Sequence, residues 1–330
     1  MTRYRKLPRV TAKLIRAAGD AIARRAGEGR LCIVNYHRIL DRPDPLLDSE
    51  PDLETFRWQV GLLADCFNVL PLGEAVRALA AGTLPPRAVA ITFDDGYRST
   101  HDLALPILQE FALPATVFVT TGHIENDSSM WNDIILEAVR RLPHSVIDLH
   151  DLGLGEYPMH SAEDRKNTAD ALTEKCKYLA PEERQVLTNR LQSMTRDDLQ
   201  QELMLTPAMI RTLAQTQVEI GGHTVSHPIL TRIDDEAARY EIVENKRQLE
   251  AITGQPVTLF AYPNGKYGID FDQRHVQMAG QAGYQAAFTT AIGSATRRDD
   301  LFKIPRSRPW DASRLMFAAR LLKWLAGRTE

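Results

Sequence analysis

"AVAITFDDGY", Ala88 to Tyr97, is the stretch on which the reading of the fold turns. Its first six residues, apolar but for Thr92, run continuously instead of alternating, as in a strand buried on both faces of a parallel sheet. The run stops at two aspartates and at Gly96, which permits a sharp turn. Asp94 and Asp95 therefore stand at the C-terminal end of a buried strand. Taken alone, Asp-Asp-Gly in that place is also a common turn, so the pair needs company before it implies chemistry.

Similar strand-length runs occur at "RLCIVNY" 30–36, "FNVL" 67–70, "ATVFV" 115–119, "VEIG" 218–221, "VTLFAY" 257–262, "QAAFTT" 285–290 and "LFKIP" 301–305. Segments with helical spacing separate most of them. This α/β alternation of about seven to eight parallel strands predicts a distorted β/α barrel, although a doubly wound sheet would read the same way. From about 124 to 204 the rhythm breaks, with helical patterns such as "WNDIILEAVRRL" and "PEERQVLTNRLQSM" and no recognisable strand. That region is expected to be a helical insertion carried by one β/α loop. It either shapes substrate access or serves as an ordinary packing subdomain.

Composition narrows the class. The 330 residues are 44% hydrophobic, enough for a sizeable core, and the net charge of −3 argues against a nucleic-acid footprint over the whole molecule. Cys32, Cys66 and Cys176 are widely spaced and odd in number, so neither a disulfide framework nor a thiolate zinc site is expected. The basic N-terminus lacks the continuous apolar core of a signal peptide, and no run approaches the roughly 20 apolar residues of a membrane-spanning helix. The chain is expected in the cytoplasm. Residues 1–29 and 311–330 both read as basic amphipathic helices flanking a main domain at 30–310. Such helices cover a domain's core, or they lie at a membrane interface, here the inner face of the membrane.

The chemistry concentrates after strands. "GGHTVSHP" places His223 and His227 four residues apart, on one face if the segment turns helically. Each motif is weak alone, but two imidazoles and one carboxylate make a common ligand set for catalytic zinc, and the second aspartate is then free to act as a base. Both motifs end predicted strands, the face on which β/α barrels assemble their active sites. A third strand end, "FAYPNGKYG" at 260–268, specifies a loop whose backbone N–H groups can hold a developing oxyanion, or simply a turn.

"TFDDGY", "HTVSHP" and "FAYPNGKYG", in this order, resemble the signature motifs of the polysaccharide deacetylase family, the NodB-like carbohydrate esterases of family 4. "NYHRI" at 35–39, "LPATVFV", "AGYQAAFTT" and "KIPR" add to the resemblance, which covers about 31–120 and 206–306. It implies a distorted β/α barrel and metal-dependent removal of acyl groups from sugars, most often acetyl from N-acetylglucosamine. By motif position Asp95, His223 and His227 would hold the metal, zinc or another divalent ion, and Asp94 would be the general base.

The amide of Asn264 is the candidate oxyanion donor. The sequence departs from the family at Ala261 and Asn264, where many members carry arginine and tyrosine. Arg306 in "KIPR" is the conjectured substitute for the arginine that orients the base. The family's late Leu-x-His acid also has no counterpart, since the last histidine is His275 in a helical pattern. His37, which ends the first strand in a Tyr-His shared with the exopolysaccharide deacetylase branch, is the candidate acid, or else a core histidine.

Three functions remain open at this level. The leading one is a metal-dependent N-deacetylase of an amino-sugar glycan or glycan precursor. The second is hydrolysis of another amide, such as deformylation or deacetylation of a polyprenyl-linked sugar, which suits a membrane-peripheral enzyme. The third is a non-catalytic sugar-binding relative, against which retention of Asp94 speaks.

Overall fold

A computed structural model of the chain describes residues 6–124, 129–195, 199, 202–308 and 311–328. The chain opens with α1 (Arg9–Ala26), β1 (Leu31–Tyr36), α2 (Leu53–Cys66), β2 (Asn68–Val69), α3 (Leu72–Ala81), β3 (Ala88–Phe93), α4 (Leu105–Glu110) and β4 (Ala115–Val119). An excursion of α5 (Trp131–Arg141), β5 (Val146–Leu149), β6 (Gly155–Pro158), α6 (Ala162–Lys177) and α7 (Pro181–Ser193) follows. The main domain resumes with α8 (Pro207–Ala214), β7 (Val218–Gly222), α9 (Asp235–Thr253), β8 (Leu259–Ala261), α10 (Gln273–Gln281), β9 (Ala286–Phe288) and β10 (Ser294–Ala295) and ends in α11 (Arg314–Leu325).

The main sheet has the order β10-β1-β3-β4-β7-β8-β9, with β2 beside β3. Seven strands are parallel and β10 is antiparallel to β1. The segment 304–307 joins the two edges: Ile304 bridges Phe288 of β9 and Ser307 bridges Val34 of β1. Ile304 N–H donates to Ala287 O (3.0 Å) and Ser307 N–H to Ile33 O (2.9 Å). The sheet thus curls into the distorted barrel, not the doubly wound alternative. "LFKIP", read as a strand, pairs with β9 only from Leu301 to Ile304, where Ala287 N–H donates to Leu301 O (2.8 Å) and Thr289 N–H to Ile304 O (2.9 Å), and Pro305, with no N–H to give, ends the ladder.

Strand parity sorts the core into two layers. Leu31, Ile33, Ala88, Ala90, Phe118, Leu259, Ala261, Ala286, Phe288 and Ile304 fill the barrel interior. Their neighbours Cys32, Val34, Val89, Ile91, Phe93, Val117 and Phe260 pack outward against the helices. This parity carries the strand ends inward too: 31-33-35, 88-90-92-94 and 304-306 place Asn35, Thr92, Asp94 and Arg306 on the interior set.

The terminal helices pack against each other and on the barrel, burying Ala12 and Ile15 of α1 and Phe317, Leu321 and Trp324 of α11. Val10, Leu14, Leu315 and Met316 stay exposed. No helix among the described residues is long and apolar enough to cross a membrane. The three cysteines are buried and unbridged.

The excursion corrects one expectation. It is not purely helical, because β5 and β6 pair as an antiparallel hairpin in the register Val146↔Pro158 to Leu149↔Gly155. The strands are four residues each, too short for their alternation to stand out from helical spacing on either side. Their inward residues Ile147, Leu149 and Tyr157 join Ile135, Leu172, Leu187 and Leu191 in a core separate from the barrel's. Asp133, buried in α5, ties this unit to the barrel by accepting from Arg38 and from the Tyr97 hydroxyl (3.2 Å).

Candidate metal centre and active site

The pairing of β1 with β3 runs from Leu31↔Ala88 to Tyr36↔Phe93, so both strands end level. Asp94 continues the ladder, its N–H donating to Tyr36 O (2.9 Å). Its carboxylate is held inside the barrel by three donors. Arg306 Nη1 donates to Oδ1 (2.7 Å) and Nη2 to Oδ2 (2.8 Å), while Asn35 Nδ2 donates to Oδ2 (3.0 Å). A carboxylate accepts at about four lone-pair sites, so three donors leave one on Oδ1. Arg306 is fully buried, packed over Phe118 with its guanidinium carbon 5.1 Å from the ring centroid.

Asp95 takes the left-handed conformation (φ 71°), and Gly96 follows it (φ 83°). Its Oδ1 lies 3.4 Å from His223 Nε2 and 3.3 Å from His227 Nε2. The histidine segment does not turn helically, contrary to the condition under which the sequence put both rings on one face. Positive φ at Thr224 (66°) and His227 (56°) folds the loop back instead. Among the described residues, six non-glycine positions have positive φ, and four of them, Asp95, Thr224, His227 and Asn264, lie in the three motifs. Backbone strain of this kind concentrates where surrounding structure imposes it, typically at functional sites.

Two polar residues of α9, one helical turn apart, impose it here. Asn245 Oδ1 accepts the His223 N–H (3.1 Å), and its Nδ2 donates to Val119 O (3.0 Å) and Thr224 O (2.5 Å). Glu241 accepts from the N–H groups of Val225 (2.7 Å) and Ser226 (2.8 Å) and from the Ser226 hydroxyl (2.5 Å). A side chain at Gly222 would drive its Cβ to 2.6 Å from Asn245 Oδ1 and into the Tyr284 hydroxyl, so only glycine lets the helix approach. His223 Nδ1 donates to Ala261 O (2.7 Å), which leaves Nε2 as the free ligand atom.

The donor set fits a divalent cation. Asp95 Oδ1 is buried with no hydrogen-bond partner, an expensive condition for a carboxylate oxygen unless an ion meets it. Two ligand atoms of a tetrahedral zinc centre, each about 2.0–2.1 Å from the metal, stand about 3.3 Å apart, as Asp95 Oδ1 stands from both Nε2 atoms. The three ligand atoms all lie within 4.8 Å of one another.

The electrostatics follow from burial and contacts. Burial pushes the Asp94 carboxyl up, but Arg306 and then His223 outweigh it and hold the pKa at about 2. Burial likewise raises Asp95, and the adjacent imidazoles of His223 and His227 outweigh it and pull the carboxyl well below the usual carboxylate range. His223 is raised, because Asp95 and Asp94 overcome its desolvation. His227 falls to about 3, because there desolvation wins against Asp95.

These groups line one cavity of about 520 Å³ at the C-terminal ends of the strands. His37, Asn264, Arg306 and Arg308 open onto it, and the excursion contributes Met130, Trp131, Asn132, Thr173 and Lys177. Trp324 and Arg320 of α11 complete a wall. His37 Nδ1 is buried without a partner. Burial, then Arg308, push its pKa down against the pull of Asp95 and Glu50. His275 lies outside this cavity, where its Nδ1 accepts the Asp272 N–H (3.0 Å) at the start of α10.

Asn35, Glu241 and Asn245 were not singled out from the sequence. Asn35 had a signal, its place two steps beyond Leu31 and Ile33 on the interior side. The signal for the others is weaker: two polar residues four apart on a helix face otherwise made of Ala238, Ile242 and Leu249.

A barrel with an Asp-Asp pair, two histidines and an interior arginine at its C-terminal mouth belongs to the metal-site hydrolase class in architecture. Residues 81–287 match the polysaccharide deacetylase family, and the chain belongs to it. It is 30% identical over 143 residues to the poly-β-1,6-N-acetyl-D-glucosamine N-deacetylase of Staphylococcus epidermidis, covering 39% of this chain and 47% of that protein. The Staphylococcus aureus protein of the same name is 30% identical over 92 residues, 28% of this chain and 30% of that one. The chain thus matches less than half the length of these curated relatives. The fold is shared with the Streptococcus pyogenes deacetylase PplD, solved with acetate, at TM-score 0.60 and 21% identity over 90% of this chain and 99% of that one. IcaB from Ammonifex degensii superposes at TM-score 0.56 with 16% identity, over 91% and 98% of the two chains.

Proposed function

We propose that the protein is a zinc-dependent N-deacetylase of an amino sugar within a glycan or glycan precursor. The observation that carries this reading is the buried, partnerless Asp95 Oδ1 set between two imidazole Nε2 atoms, with Asp94 beside it in a separate ionic lock. Metal binding alone would not need Asp94. The matched portions of the staphylococcal N-deacetylases support the substrate class.

Asp95, His223 and His227 would hold the ion, which when bound polarises the acyl carbonyl and acidifies a water. Asp94, ionised and fixed by Arg306 and Asn35, offers its remaining Oδ1 lone pair as the base that takes the attacking water's proton. The same pairing that makes Asp94 a weak base makes protonated Asp94 a strong acid, so it passes that proton readily to the departing amine. His37, which lines the same cavity and is pushed toward its neutral form, hydrogen-bonds the leaving nitrogen, while the proton itself comes from Asp94. The Asn264 N–H donates to the oxygen on which charge develops, and Met130, Trp131 and Trp324 keep bulk water out.

The test is acetate release from N-acetylglucosamine oligomers by zinc-reconstituted and chelated protein. Release that requires the metal is expected; metal-loaded protein that binds oligomers without releasing acetate would overturn the reading in favour of a sugar-binding relative.

Exposed Val10, Leu14, Leu315 and Met316, together with the exposed cations Lys6, Arg9 and Lys13, favour a second proposal. The terminal helices contact an anionic membrane surface on the cytoplasmic side, beside a cavity that α11 helps to wall. Flotation with anionic but not neutral liposomes is expected, and equal recovery with both would refute it.

A further inference from the structure

We propose that the amino sugar bound in this cavity carries a phosphate group, and that Lys177 and Lys266 recognise it. The inference rests on the deacetylase reading and adds the substrate's charge. The only acids lining the cavity, among the described residues, are Asp94 and Asp95. The first is neutralised by Arg306 and the second belongs to the cation site. Against them stand five cations: Lys177, Lys266, Arg306, Arg308 and Arg320. Arg308 pairs with Glu50 and Arg320 with Asp311. Lys177 and Lys266 form no ion pair among the described residues; the Lys177 ammonium lies 5.4 Å from the Tyr178 ring centroid.

The two lysines come from different segments that the fold fastens together. Lys177 ends α6 of the excursion, and Lys266 sits in the loop after Pro263. Asp270 accepts both the Lys266 N–H (2.9 Å) and the hydroxyl of Tyr178, the residue after Lys177 (3.4 Å). Asp270 thereby ties the end of α6 to the third motif's loop, and both lysines line the same cavity. Trp131 and Asn132 line the same cavity, and their Nε1 and Oδ1 atoms are buried without hydrogen-bond partners.

A neutral glycan offers two unpaired ammonium groups only uncharged oxygen acceptors, and deacetylation would add a third positive charge to the cavity. A phosphate supplies the compensating charge before and after the reaction. Its hydrogen bonds to ammonium donors are charge-assisted and correspondingly strong. Two sources share this chemistry: a soluble sugar phosphate, and a sugar joined through phosphate to an isoprenoid lipid, for which the apolar surfaces of Met130, Trp131, Ile292 and Trp324 are suited.

Calorimetry on the zinc-loaded full chain tests the proposal with N-acetylglucosamine, its 1-phosphate, and that phosphate esterified to a short isoprenyl chain. The phosphate should bind about tenfold more tightly than the free sugar. That preference should fall to about twofold or less in Lys177→Gln/Lys266→Gln and persist in Lys177→Arg/Lys266→Arg. A further gain for the isoprenyl ester marks the lipid source, and equal affinity marks the soluble one. Absence of any phosphate preference, or a preference that survives in the glutamine variant because the ion alone binds phosphate, overturns the proposal. Acetate release by the same wild-type preparation reads the deacetylase assignment separately, so loss of one result leaves the other interpretable.

Discussion

Replacing Arg306 with methionine keeps an apolar stem beside Phe118 and removes the guanidinium that holds Asp94. Both partners are buried, at 1% and 3% exposure, and they exchange two hydrogen bonds of 2.7 and 2.8 Å. Holding Asp94 at about 2 instead of 3.8 represents roughly 2 kcal/mol of stability at neutral pH, already net of its desolvation. In Arg306→Met that stabilisation disappears while the burial penalty stays, so the loss should reach about 3–5 kcal/mol, the range for breaking a buried ion pair. The double variant Asp94→Asn/Arg306→Met should recover about half of it or more, because no charge is then left uncompensated. The sign with pH follows. In the wild type, the Asp94 contribution is complete above the unfolded-state pKa and lost as pH falls through about 2. In Arg306→Met the carboxyl's folded pKa lies above the unfolded value, so its penalty is complete at neutral pH and vanishes once it protonates. The two proteins should therefore converge as pH drops from about 5 toward 2. Urea denaturation in the presence of a chelator measures this. A loss under about 1 kcal/mol, or a double variant as unstable as the sum of the singles, would refute the lock.

Other consequences are as direct. Asn245→Ala should lower zinc affinity about 10- to 100-fold with the ligands intact, measured by chelator competition, since it frees the His223 backbone and three acceptors. Asn264→Gly keeps the N–H and suits the positive φ at that position, so kcat should stay within about twofold if the backbone is the donor; a large fall would assign the role to the side chain. Trp131→Ala should raise KM for the glycan more than it lowers kcat, as expected of a wall contributed by the excursion, and kinetics on oligomers of different length would show it. His37→Asn should slow acetate release more than it changes zinc content, and equal losses of both would make His37 a structural residue.

The barrel was legible because its strands are unbroken apolar runs, and the site because its chemistry sits at strand ends within three short motifs. What escaped has physical causes. The β5–β6 hairpin has only four residues per strand, with partners that matter only to the excursion's own core. His223 and His227 converge through left-handed backbone at Thr224 and His227, which no side-chain periodicity announces. Arg306 could be suspected but not placed. It lies far from Asp94 in sequence, and only the closure of the sheet edges by 304–307 brings it to the interior layer that position 261 also faces. Glu241 and Asn245 look like ordinary polar residues until Gly222 lets α9 approach the histidine loop.

The most direct test of the central claim is zinc content measured together with acetate release for Asp94→Asn. The separation of a metal-holding Asp95 from a proton-handling Asp94 predicts about one zinc per chain, as in the wild type, with acetate release reduced at least about 100-fold. Zinc lost together with activity would contradict it by making Asp94 part of the metal site, and activity retained would remove Asp94 from the chemistry.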